Sequence, residues 1–291
     1  MNPEDNSADR SRFSRRLFLM TSGGVALGLG LGQVPGPAYA ADALPPLPWT
    51  AYYPKNPLNV KAIRELGYCL YFKEGGCGHA SFQAVVDSLA ATLALDNPAL
   101  NPWAMLPRGL FKYAGGGVVG WGTICGTLNG TLAAMDLLGV HNQLGNSLVD
   151  YYCTADLPTR ALVGYVPPAG VQAPLSTMTS SISHSPLCHN SMSIWAAAAG
   201  VPVSDPSNRD RDAKLVGDIA ARTAELLNDH FLIGINPPAW QPAAAYADCY
   251  TCHTQPDMVP SEQGKMECQT CHSVSPGHGF RRKRNGRDGR R

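Results

Sequence analysis

The chain has 291 residues, of which 44% are hydrophobic and 15% charged, with a formal net charge of +1. That length supports one substantial hydrophobic core with a small appendage, and the balanced charge gives no reason to expect a nucleic-acid partner. The charge is uneven, however. Residues 1–40 hold four Arg against three acids, and residues 281–291 hold seven basic residues against Asp288, so the total of +1 leaves residues 41–280 at −6. The body is mildly acidic. The tail, RRKRNGRDGRR, is too dense in like charge and too poor in apolar side chains to fold. It reads as a solvated tail, with contact to anionic lipid or an acidic partner as the sharper alternative.

The N-terminus reads as an address. Ser14-Arg15-Arg16-Leu17-Phe18-Leu19 follows a polar stretch and precedes a glycine-rich apolar run, and Ala38-Tyr39-Ala40 supplies a small-x-small cleavage site. This resembles a twin-arginine export signal over residues 1–40 and predicts a periplasmic protein. Gly23, Gly24, Gly28, Gly30 and Gly32 make the run a poor membrane helix, and Pro35 and Pro37 end it short of the ~20 residues a span needs. No other segment is long and apolar enough to span, so no membrane span is expected after cleavage. The twin-arginine route carries folded proteins, which suggests that part of the chain folds in the cytoplasm, around a cofactor.

Residues 41–57 carry five prolines and predict an extended lead-in. Helical spacing runs from Leu58 to Phe72. Ala80 to Leu95 puts Phe82, Val85, Val86, Leu89 and Leu93 on one face, until Asn97-Pro98 breaks it. After the short apolar segment Trp103 to Tyr113 comes GGGVVGWGTICGTLNGTLAAMDLLG. It lacks the Gly-Lys-Ser/Thr of a phosphate loop and has no dinucleotide fingerprint, so the glycines predict a tight turn and close helix packing, with a buried helix over Thr123–Leu138. Helical spacing continues over Gln143–Tyr152. Residues 154–183 predict a long irregular connection, Pro186 opens a helix to Ala199, and Asp210–Phe231 is the clearest helix. Regular structure is expected to end beyond Pro237. No strand is expected. The fold class is mainly α: a helical body, 41–245, followed by a short irregular segment, 246–280, and the tail, 281–291.

That segment contains Cys249-Tyr-Thr-Cys252-His253 and Cys268-Gln-Thr-Cys271-His272. Two thiols three positions apart can add to the two vinyl groups of one haem, and the next residue, His, then lies under the iron. Two such motifs predict two haem c groups, covalently held by Cys249, Cys252, Cys268 and Cys271, with His253 and His272 as axial ligands. The same cysteines fit a zinc-ribbon spacing, because fifteen residues separate Cys252 from Cys268. Disulfides are a third reading in an oxidising compartment. The His after each pair, the export signal and the missing ribbon pattern favour haem. The segment is too poor in apolar side chains to bury two haems alone, so they must lie against the body, each other or another subunit.

Six histidines remain for the sixth coordination positions: His79, His141, His184, His189, His230 and His278. His189, at the start of a helix, and His278, just beyond the second motif, are the leading candidates. Met258 and Met266 are nearby, and a Met ligand would raise the potential. Five cysteines lie outside the motifs: Cys69, Cys77, Cys125, Cys153 and Cys188. Buried thiols, disulfides and an iron–sulfur cluster all remain open for them.

The body carries a resemblance. Gly76-Cys77-Gly78-His79-Ala80 with Gln83-Ala84-Val85, then Gly115-Gly116-Gly117 and Thr123-Ile124-Cys125-Gly126-Thr127-Leu128-Asn129-Gly130, resembles the C-GCAxxG-C-C family, with Cys153 and Cys188 as its later cysteines. Followed by two CxxCH motifs, and with Cys188-His189-Asn190-Ser191 to Trp195 and Asp218-Ile219-Ala220-Ala221 to Leu227, roughly residues 60–280 are similar to the split-Soret cytochromes c. The resemblance implies a homodimer with haems gathered at one end and stacked in pairs. It also implies bis-His ligation with a sixth ligand donated by the partner chain, and an iron–sulfur cluster for which Cys77, Cys125, Cys153 and Cys188 are the candidates. Two departures bear on the cluster: Gly78-His79 stands where the motif has Ala, and Ala196 follows Trp195 where a further Cys is expected.

These features predict a periplasmic electron carrier that meets redox protein partners. A haem-dependent reductase of small molecules and an exported zinc-binding interaction protein are the alternatives. No paired carboxylates or Ser/His/Asp arrangement supports hydrolysis.

Overall fold

The structure, a computed structural model, describes residues 44–96, 101–253 and 265–270. The export signal, Met258, Cys271, His272, His278 and the basic tail lie outside the described residues.

The body is built from helices α1 (Val60–Glu74), α2 (Cys77–Asp96), α3 (Gly126–Leu137), α4 (His141–Thr154), α5 (Cys188–Ala199) and α6 (Ser207–Asn228), and a further helix, α7 (Ala244–His253), follows. Among the described residues there is no strand, only the isolated bridges Ile124–Leu187 and Leu157–Ser181. The helical class is therefore as the sequence predicts.

Each helix begins and ends for a local reason. The Asn59 side chain accepts the Ala62 N–H at 3.0 Å and caps α1, while Gly75, at φ 76°, turns the chain out of it. Helix α2 buries Phe82, Val85, Val86 and Leu89 almost completely. Each such side chain contributes about 1.5–3 kcal/mol of burial. Its tightest neighbour is α3. A methyl group on Gly130 would run into the Gly78 carbonyl and the Ser81 hydroxyl, so these two helices touch backbone to backbone. The glycine-rich run thus serves close packing, as expected. Helix α1 meets α6 in the same way, with Gly67 against Gly217.

The polar N-terminal half of α6 faces inward: Asp210, Arg211, Lys214 and Asp218 are all buried. Their partners explain this. Asp210 accepts the Tyr68 hydroxyl at 2.6 Å and the Leu175 N–H at 3.2 Å, and pairs with Lys214 at 2.9 Å. Asp218 accepts the Thr159 N–H and hydroxyl, both at 2.7 Å, and the Arg64 guanidinium at 3.1 Å. These bonds tie the irregular connection after α4 onto the helices, and a buried charge needs such partners.

One feature differs from expectation: regular structure resumes after Pro237. Ala243, Ala244, Ala245 and Ala247 are strong helix formers, and Pro242 precedes the first turn. Helix α7 therefore forms and carries the first CxxCH motif to its end.

Candidate functional site

Three of the cysteines outside the CxxCH motifs converge at helix N-termini. Cys77 is the first residue of α2, Cys125 is the residue before α3, and Cys188 is the first residue of α5. Backbone bonds draw them together. Cys125 N–H donates to the Pro186 carbonyl at 2.9 Å, and Cys188 N–H donates to the Thr123 carbonyl at 2.7 Å. Gly78 N–H donates to the Ala114 carbonyl at 3.0 Å, bringing the start of α2 under the glycine-rich loop. Three positive helix ends thus point toward three sulfurs, an arrangement that favours thiolates.

The titration of these thiols follows from their contacts. The neighbouring Cys188 thiol outweighs burial and holds Cys125 down to about 6, while the buried Tyr152 and Thr127 hydroxyls close by have no hydrogen-bond partner. Cys188, as the donor to Cys125, is pushed up, and burial raises Cys77. Cys125 is therefore the member of the group that loses its proton first. Arg211 lies behind them, 2% exposed. It donates to Asp212 Oδ1 at 3.0 Å, to the Ser191 carbonyl at 3.2 Å and to the Ser191 hydroxyl, while its Nε has no partner. Its charge lowers Cys77, and the Asp212 charge raises both Cys77 and Cys188. Neither residue stands out in sequence, because a mixed-charge stretch looks like a solvated helix face.

Among the described residues, no group of three or more His, Cys, Asp and Glu is placed to hold a single metal ion. Three sulfur donors gathered in a positive, buried setting suit an anionic cluster, whose bridging sulfides span more room than one ion does. Cys153 stands elsewhere. It sits at the end of α4, raised to about 12 by burial and then by Asp150, and its charge is felt by Tyr246 of α7. Cys69 is apart again, 3.2 Å from the Tyr165 hydroxyl.

The C-terminal segment forms a second centre. Cys249 and Cys252 are one turn apart on α7, with His253 closing the helix. An i, i+3 spacing on a helix puts two residues on one side, which is what attachment to one haem requires. Tyr250 links this site to the next. Its pKa is raised to about 12, first by burial, then by Cys268, Tyr246 and Cys249, so both motifs approach the same phenol. Its hydroxyl donates to the Met266 carbonyl at 3.2 Å. Trp240 and Tyr246 flank it, each 5.8 Å from its ring, and supply apolar surface. The residues described fit a haem: paired attachment positions, an adjacent imidazole and an aromatic wall.

A short strap holds residues 265–268 against the body. Lys265 donates to Asn146 of α4 at 2.9 Å, and the Ser185 hydroxyl contacts the Met266 sulfur at 3.7 Å. Glu267 meets His184 Nδ1 at 2.8 Å. The other histidines sort by environment. His79 is buried with both ring nitrogens engaged, by the Leu110 carbonyl at 3.0 Å and Glu74 at 2.7 Å. His189 is exposed, its Cβ lying over Gly122 of the glycine-rich loop. His141 pairs with Asp136 at 2.8 Å beside a cleft of about 530 Å³ that Lys265 also lines. His230 meets Asn236 at 2.6 Å.

A helical body that gathers cysteines at helix ends, followed by a helix that closes on a CxxCH motif, is similar to the cytochromes c. The particular likeness is to split-Soret cytochrome c. The chain is 28% identical over 275 residues to the split-Soret cytochrome c of Desulfovibrio desulfuricans, covering 89% of this chain and 94% of the relative. A solved structure of the Desulfovibrio desulfuricans protein, described as holding a novel iron centre, superposes with a TM-score of 0.64 at 25% identity, over 77% of this chain and 92% of that one. No family model matches the chain. Among the described residues no helix is long and apolar enough to cross a membrane.

Proposed function

We propose that this chain is a periplasmic electron carrier holding two haem c groups, attached at Cys249 and Cys252 and at Cys268 and Cys271, with His253 and His272 as axial ligands. The observation that carries the reading is the bond from the Tyr250 hydroxyl to the Met266 carbonyl at 3.2 Å, which brings the start of the second motif against the helix that carries the first. It supports two neighbouring redox centres, a spacing suited to electron hopping, at the surface where a redox protein partner can dock. Bound haem supplies one-electron chemistry at iron. The chain attaches and orients it through α7 and walls it with Trp240, Tyr246 and Tyr250.

The domain reading follows: a cleaved twin-arginine signal at 1–40, a helical body at 41–245, a di-haem segment at 246–280 and a basic tail at 281–291. An iron–sulfur cluster held by Cys77, Cys125 and Cys188 belongs to the same proposal, supported by the three helix N-termini around those sulfurs. Cys153, the remaining candidate, sits at the end of α4 instead. Assembly of such a cluster inside the fold before export agrees with the twin-arginine route. Assembly as a homodimer is proposed from the likeness to split-Soret cytochrome c.

The test is a pyridine haemochrome assay with iron, zinc and acid-labile sulfide content, on full-length protein recovered from the periplasm. Two covalent haems per chain, with iron and sulfide beyond them, are expected. One zinc per chain and no haem would overturn the reading in favour of a zinc-binding protein.

A further inference from the structure

The buried cysteine group is lined by donors that the protein itself leaves without acceptors. The Tyr152 hydroxyl, the Thr127 hydroxyl and the Arg211 Nε–H have no hydrogen-bond partner among the described residues, and all three side chains are buried. Each is tied to the cysteines. Thr127 lies in the first turn of α3, two residues after Cys125. Tyr152, on α4, packs in the same core cluster as Cys77 and Cys125, and its phenol stands near enough to the Cys125 sulfur to feel its charge. Arg211 donates to the Ser191 carbonyl in the first turn of α5, the helix that Cys188 opens, so its guanidinium is held at the same helix end. A protein interior pairs such groups as a rule, because an unmade bond costs the desolvation of the donor. All three can donate, and thiolate and sulfide sulfurs only accept.

We propose that the Tyr152 and Thr127 hydroxyls and the Arg211 guanidinium donate to the sulfur atoms of the cluster held by Cys77, Cys125 and Cys188, and thereby set its reduction potential. The inference rests on the cluster reading and deepens it. Reduction adds an electron to the cluster, and the added negative charge strengthens every hydrogen bond to its sulfurs. Donors therefore favour the reduced state and raise the potential. Burial strengthens the effect, because a low-dielectric interior screens charge weakly. The three donors differ in kind. Arg211 brings a full charge, part of which Asp212 takes up at 3.0 Å. The two hydroxyls are neutral, so they shift the potential without changing the charge of the site. This also accounts for a tyrosine at 152, where a phenylalanine would fill the same buried place on α4 with no hydroxyl left to satisfy.

The test uses the full chain carrying its haems and cluster. The cluster potential is read by a redox titration followed by electron paramagnetic resonance, and the haem potentials by visible spectra. Tyr152→Phe and Thr127→Val each remove one hydroxyl and keep most of the side chain. Each is expected to lower the cluster potential, and the double variant to lower it further, with iron, acid-labile sulfide and the haem potentials unaltered. Thr127→Ser keeps the hydroxyl and should keep the wild-type value. A hydroxyl that only packs, or that bonds a buried water, would not move the potential. Loaded Tyr152→Phe and Thr127→Val proteins at the wild-type potential would therefore overturn the assignment. Loss of the cluster from both variants, with circular dichroism and haem content intact, would make the hydroxyls a means of retaining the cluster rather than of tuning it, and would overturn the assignment as well. Wild-type protein with no iron or sulfide beyond its haems would overturn the cluster reading beneath it.

Discussion

The two centres are built in opposite ways. The cysteine centre lies inside the body, at the meeting point of three helix N-termini, and its surroundings are set by helix–helix packing and buried hydrogen bonds. The haem segment is a single helix and a strap, joined to the body by a few bonds from Lys265, Met266 and Glu267. A cluster proposed for the first would have to be assembled as the body folds, whereas haem proposed for the second could be attached after the body is complete. On the proposed function, that difference would write the order of cofactor loading into packing: the sealed site first, the open site last.

The sharpest way to break this comparison is to empty the open site. Cys249→Ala with Cys252→Ala should leave one covalent haem per chain instead of two, read by pyridine haemochrome. Far-UV circular dichroism should hold, because the core of the body is made by α1 to α6. Loss of helicity throughout would mean that the haem segment is part of the body's folding unit.

The next change strikes the sealed site. Arg211→Met removes the partner of Asp212 and leaves a carboxylate in low-dielectric surroundings. Breaking a buried pair costs about 3–5 kcal/mol, so a large fall in thermal midpoint is expected, with the haem count unaltered. Burial already pushes the Asp212 carboxyl up, against the pull of Arg211. Asp212→Asn added to Arg211→Met should therefore recover part of the loss. A smaller effect comes from Gly130→Ala, whose methyl group meets the Gly78 carbonyl. Overpacking of that kind costs about 1–3 kcal/mol. It should lower the urea midpoint and loosen the Cys77 and Cys125 ends of α2 and α3, and cluster iron should fall before haem does.

Much of this was legible in the sequence. Apolar residues at helical spacing marked α2 because Phe82 through Leu93 have one job, burial. The CxxCH motifs were legible as candidate haem-attachment sites because thiol spacing and an adjacent imidazole are what such attachment needs. What stayed hidden depends on long-range pairing. The burial of Arg211 and Asp218 could not be read from a mixed-charge stretch, because the Ser191 and Thr159 partners that make it tolerable are far away in sequence. Cys153 reads as equal to Cys188 in a list of cysteines, yet it sits at the end of α4, away from the three helix N-termini. The pair of His184 and Glu267 carries no motif either, because the chain brings Glu267 back across the body to form it. Helix α7 was hidden for a different reason, since prolines on either side of a short alanine run mask its propensity.

The weakest lever tests the rim of the sealed site. Glu74 closes α1 beside Cys77, bonded to His79 at 2.7 Å and to Arg108. Burial works against its carboxylate, but the His79 and Arg108 bonds outweigh it and hold its pKa below the ordinary value of 4.5. A lowered folded pKa has a fixed sign. The stabilisation is complete above the unfolded pKa and is lost as pH falls through the folded value. Wild-type stability should therefore drop on the acid side of 4.5 partly through this group, and Glu74→Gln should flatten that limb of a stability–pH curve. Arg108 is half exposed, so solvent screening keeps the effect to about 1 kcal/mol or less. An unchanged acid limb would mean that the bonds at the rim hold geometry alone, and that protection of the sealed site comes from the helix contacts beneath it.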